Sequence, residues 1–349
     1  MRDTRHIQPG PRPATGAFSL QENRAHTHPH SVPHPSKRCR DAAATPRHDK
    51  TVMTHANLPR FERIYVEITN ICNLRCDFCC GTGRPSASMD PAFFARVLKQ
   101  IAPRTDQICL HVLGEPLLHP HFGEIMDLCA AAGLQVNLTT NATRLAGKAD
   151  LLLQAKALRQ LNFSMQSLRR GENLDADTLE AILEFSRRAA SLRPDLYLNF
   201  RLWTLKDLHS SAHDGFNAAI KRSIAAGLDC EIPPMPPGRK SLKLKGRAYL
   251  HMDTIFVWPG DLGTRERTSG FCHALSTHCA ILADGTVCPC CLDGDGRIAL
   301  GNMHDAPFDA ILDSPRARGM AAGFAAGRLV KEICRHCSYC RRFKSRAKY

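Results

Sequence analysis

The chain has 349 residues, 43% of them apolar, and a formal charge of +14, which leaves room for one large domain and a smaller one. Sixteen cysteines are present, yet a chain this long does not need disulfide staples, and its start, M-R-D-T-R-H-I-Q-P-G-P-R-P, has no apolar export signal. No run of eighteen apolar residues occurs, so no membrane span is expected, and reduced cytoplasmic thiols serving metal sites are the expectation.

Residues 1–58 are rich in Pro, His, Arg and small residues, lack any helix or strand period, and are expected to be disordered. Their His26, His28, His30 and His34 either capture a metal loosely or are incidental to a low-complexity tail, and Met53 is an alternative translation start. From 59 to 250, predicted strands alternate with helices. R-I-Y-V-E-I-T (63–69) alternates as a first strand. A helix over 90–101 follows, with Asp90 as cap and Pro91 at its first position. Strand two is predicted at 107–113, a helix at 121–132 ended by Gly133, strand three at 135–141 and strand four at 158–167. A helix over 175–190, strand five at 196–203, a helix over 216–226 closed by Gly227 and a sixth strand near 229–233 complete the pattern. Such repetition predicts an α/β fold with a parallel sheet, as a partial (β/α)6 barrel whose functional groups lie at the carboxyl ends of the strands. From 251 to 340 the chain becomes a short, irregular, cysteine-rich α+β metal-binding module, whose folding metal ligation would explain. Residues 341–349 are a basic tail holding Arg341, Arg342, Lys344, Arg346 and Lys348.

Directly after the first strand comes C-N-L-R-C-D-F-C, with Cys72, Cys76 and Cys79 at C-x3-C-x2-C spacing. Three thiolates so spaced hold three irons of a [4Fe–4S] cluster and leave the fourth iron open, since soft sulfur ligands select iron–sulfur or zinc. Cys80 is expected to point away, and Cys109 and Cys129 to be core thiols.

This run resembles that of the radical S-adenosylmethionine (SAM) enzymes, in which SAM chelates the open iron. The resemblance implies more of the same rim. Gly114 and Glu115, in H-V-L-G-E-P after strand two, match the family's glycine–glutamate motif beside the SAM ammonium. Ser164 matches a contact to the SAM ribose or carboxylate, and Arg201 one that pairs with the carboxylate. A buried arginine needs such an anion. Asn141 falls where ribose or substrate is touched, and Phe78 matches the aromatic near the adenine. Many relatives carry glycine where Ala142 stands. The family's chemistry would be reductive cleavage of SAM to a 5′-deoxyadenosyl radical that abstracts hydrogen from an unactivated carbon. No catalytic residue beyond the cofactor ligands is identified.

In the tail, Cys272-x12-Gly285-x4-Cys290 resembles the opening of a SPASM domain, and Asp284–Gly285 reads as a hairpin turn folding Cys290 back towards Cys272. C-R-H-C-S-Y-C (334–340) supplies closing thiols. The longer C-x2-C-x5-C-x3-C of a full SPASM domain is missing, so the expectation is one auxiliary [4Fe–4S] cluster on Cys272, Cys290, Cys334 and Cys337. Cys291 and Cys340 are substitutes, and structural zinc is the competing occupant. Cys279 and Cys288 are expected to face each other across the hairpin, as a second small site or as spare thiols.

The resemblance implies a one-electron reductant such as flavodoxin or ferredoxin. Oxidation or crosslinking of a peptide or protein side chain is the leading substrate reading. A small molecule such as an amino-sugar or cofactor precursor is the alternative, and a non-catalytic iron–sulfur carrier or scaffold is the competing class. Nucleic acid is disfavoured, because the basic tail reads as a solvated segment.

Overall fold

The computed structural model describes residues 58–171, 173–205, 215–254, 258–259 and 266–342. The histidine run, Met53, Lys344, Arg346 and Lys348 lie outside the described residues. Twelve strands are present among the described residues. They are β1 (Arg63–Val66), β2 (Gln107–Cys109), β3 (Gln135–Thr140), β4 (Leu158–Ser164), β5 (Arg169–Arg170), β6 (Asn173–Leu174) and β7 (Tyr197–Leu205). After them come β8 (Ser241–Lys243), β9 (Ala248–Thr254), β10 (His278–Ile281), β11 (Thr286–Cys288) and β12 (Gly301–Asn302). The helices are α1 (Pro91–Ile101), α2 (Phe122–Ala131), α3 (Ala149–Gln154), α4 (Ala176–Leu192), α5 (Gly215–Leu228), α6 (Phe308–Leu312), α7 (Pro315–Ala325) and α8 (Glu332–Arg335).

Ten strands form one mixed sheet in the order β12-β11-β10-β1-β2-β3-β4-β7-β9-β8. From β10 through β9 every pairing is parallel, as βα repetition requires, while β8, β11 and β12 add antiparallel edges. Alternate strand residues such as Ile64, Ile108, Leu138, Phe163 and Phe200 join helix residues such as Phe94, Leu98 and Phe185 in the main core. The intervening residues, among them Tyr65, His111, Thr139, Asn162 and Arg201, therefore occupy the opposite, inner face.

That inner face is unexpectedly polar. The Asn199 and Gln160 amides both donate to Asn162 Oδ1 (2.9 and 2.8 Å). Asn162 in turn donates to the Leu138 carbonyl (3.0 Å), and Asn137 donates to Gln107 Oε1 (3.1 Å). Buried amides are tolerated because they satisfy one another.

Asp90 caps α1 as the sequence predicts, and Asp175, for which no cap was expected, caps α4. Asp90 accepts from Phe93 N (3.0 Å) and Asp175 from Thr178 N (3.1 Å), each cap contributing about 1 kcal/mol. Three expectations are corrected. The sixth parallel strand is β9, not the segment near 229–233, whose prolines cannot supply ladder N–H groups. This strand also runs across the expected domain boundary at 250/251. Gly227 does not close its helix but lies inside α5, where a Cβ would meet Leu183 of α4 at 2.8 Å. Its role is close helix packing. Helix α3, short and weakly patterned, was not predicted.

The tail is built into the sheet. β10 pairs in parallel with β1, and the hairpin turn at Gly285 (φ +84) packs against Phe93 of α1. Arg104, just after α1, makes a two-pronged ion pair with Asp309 of α6 (2.9 and 2.7 Å). Cys279 and Cys288 do not face each other. Cys288 pairs with Ala280, so Cys279 enters the main core while Cys288 joins a smaller cluster on the opposite face.

Candidate active site

One cavity of about 1140 Å3 opens on the inner face. It exceeds the roughly 300–1,000 Å3 of a single small-ligand pocket, so it has room for more than one bound group. All thirteen predicted site residues line it. The sequence expectations therefore converge on one place.

The loop after β1 carries Cys72, Cys76 and Cys79, with Cys79 N donating to the Cys76 carbonyl (2.9 Å). Burial, then the neighbouring thiols Cys72 and Cys79, pushes Cys76 up to about 11. The Cys80 thiol, aided by Gly81 N–H, holds Cys79 below the ordinary thiol value. Asn141 Nδ2 donates to Cys72 Sγ (3.8 Å) and Asn73 Oδ1 (3.1 Å), so its amide ties the end of β3 to this loop. Trp258 Nε1 donates to the Phe78 carbonyl (2.8 Å).

Gly114 is left-handed (φ +76), and a Cβ there would stand 2.3 Å from the Thr69 carbonyl oxygen. Only glycine lets the loop after β2 pass this close. Glu115 is buried, and its carboxylate accepts from Leu117 N (3.0 Å), Thr140 Oγ1 (2.7 Å) and Asn141 N (2.6 Å). Burial raises its pKa against those hydrogen bonds. Ser164 pairs in register with Arg201. The Arg201 guanidinium meets Thr139 Oγ1 (3.4 Å) and lies 5.4 Å above the Trp203 ring. Burial lowers its pKa, as expected for a cation held away from water.

Two residues that tie this rim together escaped the sequence analysis. Glu67, fully buried, takes Arg84 NH2 on both carboxylate oxygens (2.7 and 2.9 Å) and also accepts from Leu113 N (3.0 Å) and Ala283 N (3.2 Å). Arg84 Nε donates to the Gly294 carbonyl (2.8 Å). The signal for Glu67 was a charge at an inward position of an otherwise β-rich segment, whereas Arg84 lies in a loop and had none.

On the far side of the cavity, Cys272, Cys290, Cys334 and Cys337 line the wall together with Cys291 and Cys340. Burial raises Cys272 to about 11, with Cys337, Cys340 and Cys291 adding to it. Cys334 is raised by burial and then by Cys272 and Cys337. Soft thiol sulfur is the right ligand type for an iron–sulfur group, but among the described residues no three of these side chains stand together as a metal-holding set. Cys291 sits beside Tyr65 on the inner face, and the described cysteines are all free.

The profile of the radical SAM superfamily matches residues 66–212. That of the SPASM iron–sulfur cluster-binding domain matches 272–338. The chain carries a radical SAM domain followed by a SPASM domain. The pair implies a four-iron cluster with SAM in the first domain and an auxiliary cluster in the second. Part of the chain is similar to a tungsten-containing aldehyde ferredoxin oxidoreductase cofactor-modifying protein of Pyrococcus furiosus, 29% identical over 115 residues, 32% of each chain. It is also similar to a GTP 3′,8-cyclase of Vibrio cholerae, 35% identical over 117 residues, 31% of this chain and 35% of that protein. The matches span about a third of the length of these relatives. The fold resembles Streptococcus suis SuiB bound to S-adenosylmethionine, with TM-score 0.53 and 13% identity over 83% of this chain and 76% of that one. Among the described residues no helix is long and apolar enough to cross a membrane.

Proposed function

We propose that this radical SAM enzyme oxidises or crosslinks a side chain of a peptide or protein, with one auxiliary [4Fe–4S] cluster accepting the second electron. The observation that carries the reading is that both thiol sets line one cavity, so hydrogen abstraction and electron removal would act on the same bound molecule. Cys72, Cys76 and Cys79 hold the first cluster and leave one iron for SAM. Gly114 frees the adjacent strand edge for the SAM ammonium, with the Glu115 charge fixed beside it. Ser164 and Arg201 take the ribose and carboxylate, and Phe78 lies against the adenine. Asn141 braces the cysteine loop from β3. Cys272, Cys290, Cys334 and Cys337 hold the auxiliary cluster. Bound there, a reduced cluster and SAM supply a carbon-centred radical; the chain's part is to orient, to exclude water and to fix charge. A flavodoxin- or ferredoxin-like protein supplies the electron.

A small polar substrate, such as an amino-sugar or cofactor precursor, is the second reading, and the amide- and hydroxyl-bearing inner face favours it.

Anaerobically reconstituted protein should carry roughly eight irons per chain and cleave SAM on reduction. Replacing Cys72, Cys76 and Cys79 together by alanine should leave about four irons and abolish cleavage. Retained cleavage would sink the assignment. About four irons with one zinc in the unmodified protein would replace the auxiliary cluster by a structural zinc.

A further inference from the structure

Native proteins seldom bury a polar side-chain atom without a partner, because the lost hydration is not regained. Two such atoms among the described residues, His111 Nδ1 and Gln166 Oε1, belong to residues that line the cavity just described. Their neighbours make the omission conspicuous. A little deeper on the same face, Asn137, Gln160, Asn162 and Asn199 pair off their amides, and Thr139 Oγ1 is engaged by Asn162 and Arg201. The polar wall is satisfied until it reaches the open volume, and there these two polar atoms have no partner.

The geometry points to a substrate subsite formed by His111, on the continuation of β2, and Gln166, in the turn after β4, which receives a hydroxyl or amide N–H of the molecule on which the radical acts. This assignment rests on the radical SAM reading of the cavity. Gln166 Oε1 can only accept, while His111 Nδ1 accepts or donates according to its tautomer, so a group that both donates and accepts satisfies the pair. An ammonium is disfavoured. The Arg201 charge is felt at His111, and burial with that charge holds the imidazole neutral, at about 3. Neither sugar nor peptide is singled out by this chemistry, since a polyol hydroxyl and a backbone amide both provide it.

The test uses SAM-loaded, anaerobic holoprotein and three uncharged probes: myo-inositol for hydroxyls, N-acetylglycinamide for amide N–H, and hexa-O-methyl-myo-inositol, which donates nothing. Binding is followed calorimetrically in the unmodified protein and in His111→Phe and Gln166→Met, which keep bulk but remove the polar atom. At least one donor probe should bind, the methylated probe should not, and each substitution should weaken binding tenfold or more. Preference for inositol assigns the subsite to a small polyol, and preference for the amide assigns it to a peptide. The thermal midpoint of each unliganded variant should equal or exceed that of the unmodified protein, because an unsatisfied buried atom has been removed. Equal binding of donor and donor-free probes, no binding of any probe, variants that bind as the unmodified protein does, or midpoints that fall with affinity would each overturn the subsite. SAM cleavage by the unmodified protein is scored separately. Its absence would overturn the radical reading and leave the probes to decide the subsite on its own.

Discussion

Ala142 is buried with φ +64, a left-handed conformation that a side chain makes unfavourable. Its N–H donates to Thr140 Oγ1 (2.9 Å), and its carbonyl accepts from Leu145 N (2.9 Å), so the turn after β3 is fixed from both sides. The position asks for the glycine that many relatives have, and the chain accepts strain of about 1 kcal/mol instead. Ala142→Gly should raise unfolding stability by up to about 1 kcal/mol in urea titrations, less whatever the freer unfolded chain takes back. A clear loss would mean that the methyl packs better than the backbone suffers. At this scale the sequence was readable where spacing carried the information, in the cysteine run, G-E-P and the Asp90 cap. Glu67, His111 and Gln166 were not readable, because a polar residue in or just past an alternating strand looks the same whether it meets water, a partner or a ligand, and Arg84 sits in a loop with no pattern to mark it.

The loop that bears Cys72, Cys76 and Cys79 is held from outside itself. Thr82 Oγ1 and Gly83 N both donate to Asp295 Oδ1 (2.8 and 3.3 Å), more than two hundred residues away, next to the Arg84 contact with Gly294. Asp293, one turn back, accepts from Arg297 N (2.9 Å) and Ile298 N (2.8 Å) and so sets the segment's shape. Asp295→Ala should therefore loosen the loop and slow SAM cleavage several-fold, with auxiliary iron retained in the same samples. Unchanged cleavage would show that Arg84 alone is enough. Apart from α3, the alternation of strand and helix was legible up to β7, helped by the aspartate cap of α1. It failed afterwards. A proline-rich crossing from 233 to 237 separates α5 from β9, and no local pattern announces that β8 folds back on β9 before the sheet ends.

For the molecule as a whole, two half-buried histidines, His111 and His278, shape the response to acid. Burial brings His278 down to about 4, with Arg63 and His273 adding to the effect, and His111 to about 3, both from an ordinary 6.5. A depressed base binds its proton more readily in the unfolded chain. Each histidine therefore contributes stability that is complete above pH 6.5 and is lost as pH falls towards 4, approaching about 1.4 kcal/mol per pH unit. Glu67, Glu115 and Asp293, raised by burial, act in the opposite sense. The histidine part is accordingly read as the difference between the unmodified protein and His278→Gln, which should have the shallower pH dependence over that window. Parallel curves would count against a neutral, half-buried His278. The cysteine-rich module expected from the sequence joins the main sheet through the parallel pairing of β10 with β1. Such a pairing between distant segments leaves no trace in either strand's own pattern.

Glu67 gives that pairing a direction in time. Its bond to Ala283 N closes a separation of 216 residues, and synthesis runs from Glu67 towards Ala283. On a growing chain the carboxylate that braces Arg84, and through it the cysteine loop, stays incomplete until the hairpin has emerged. The site nearest the beginning of the described residues is thus among the last to be finished, and iron loaded onto the nascent loop would meet a rim still lacking one of its walls.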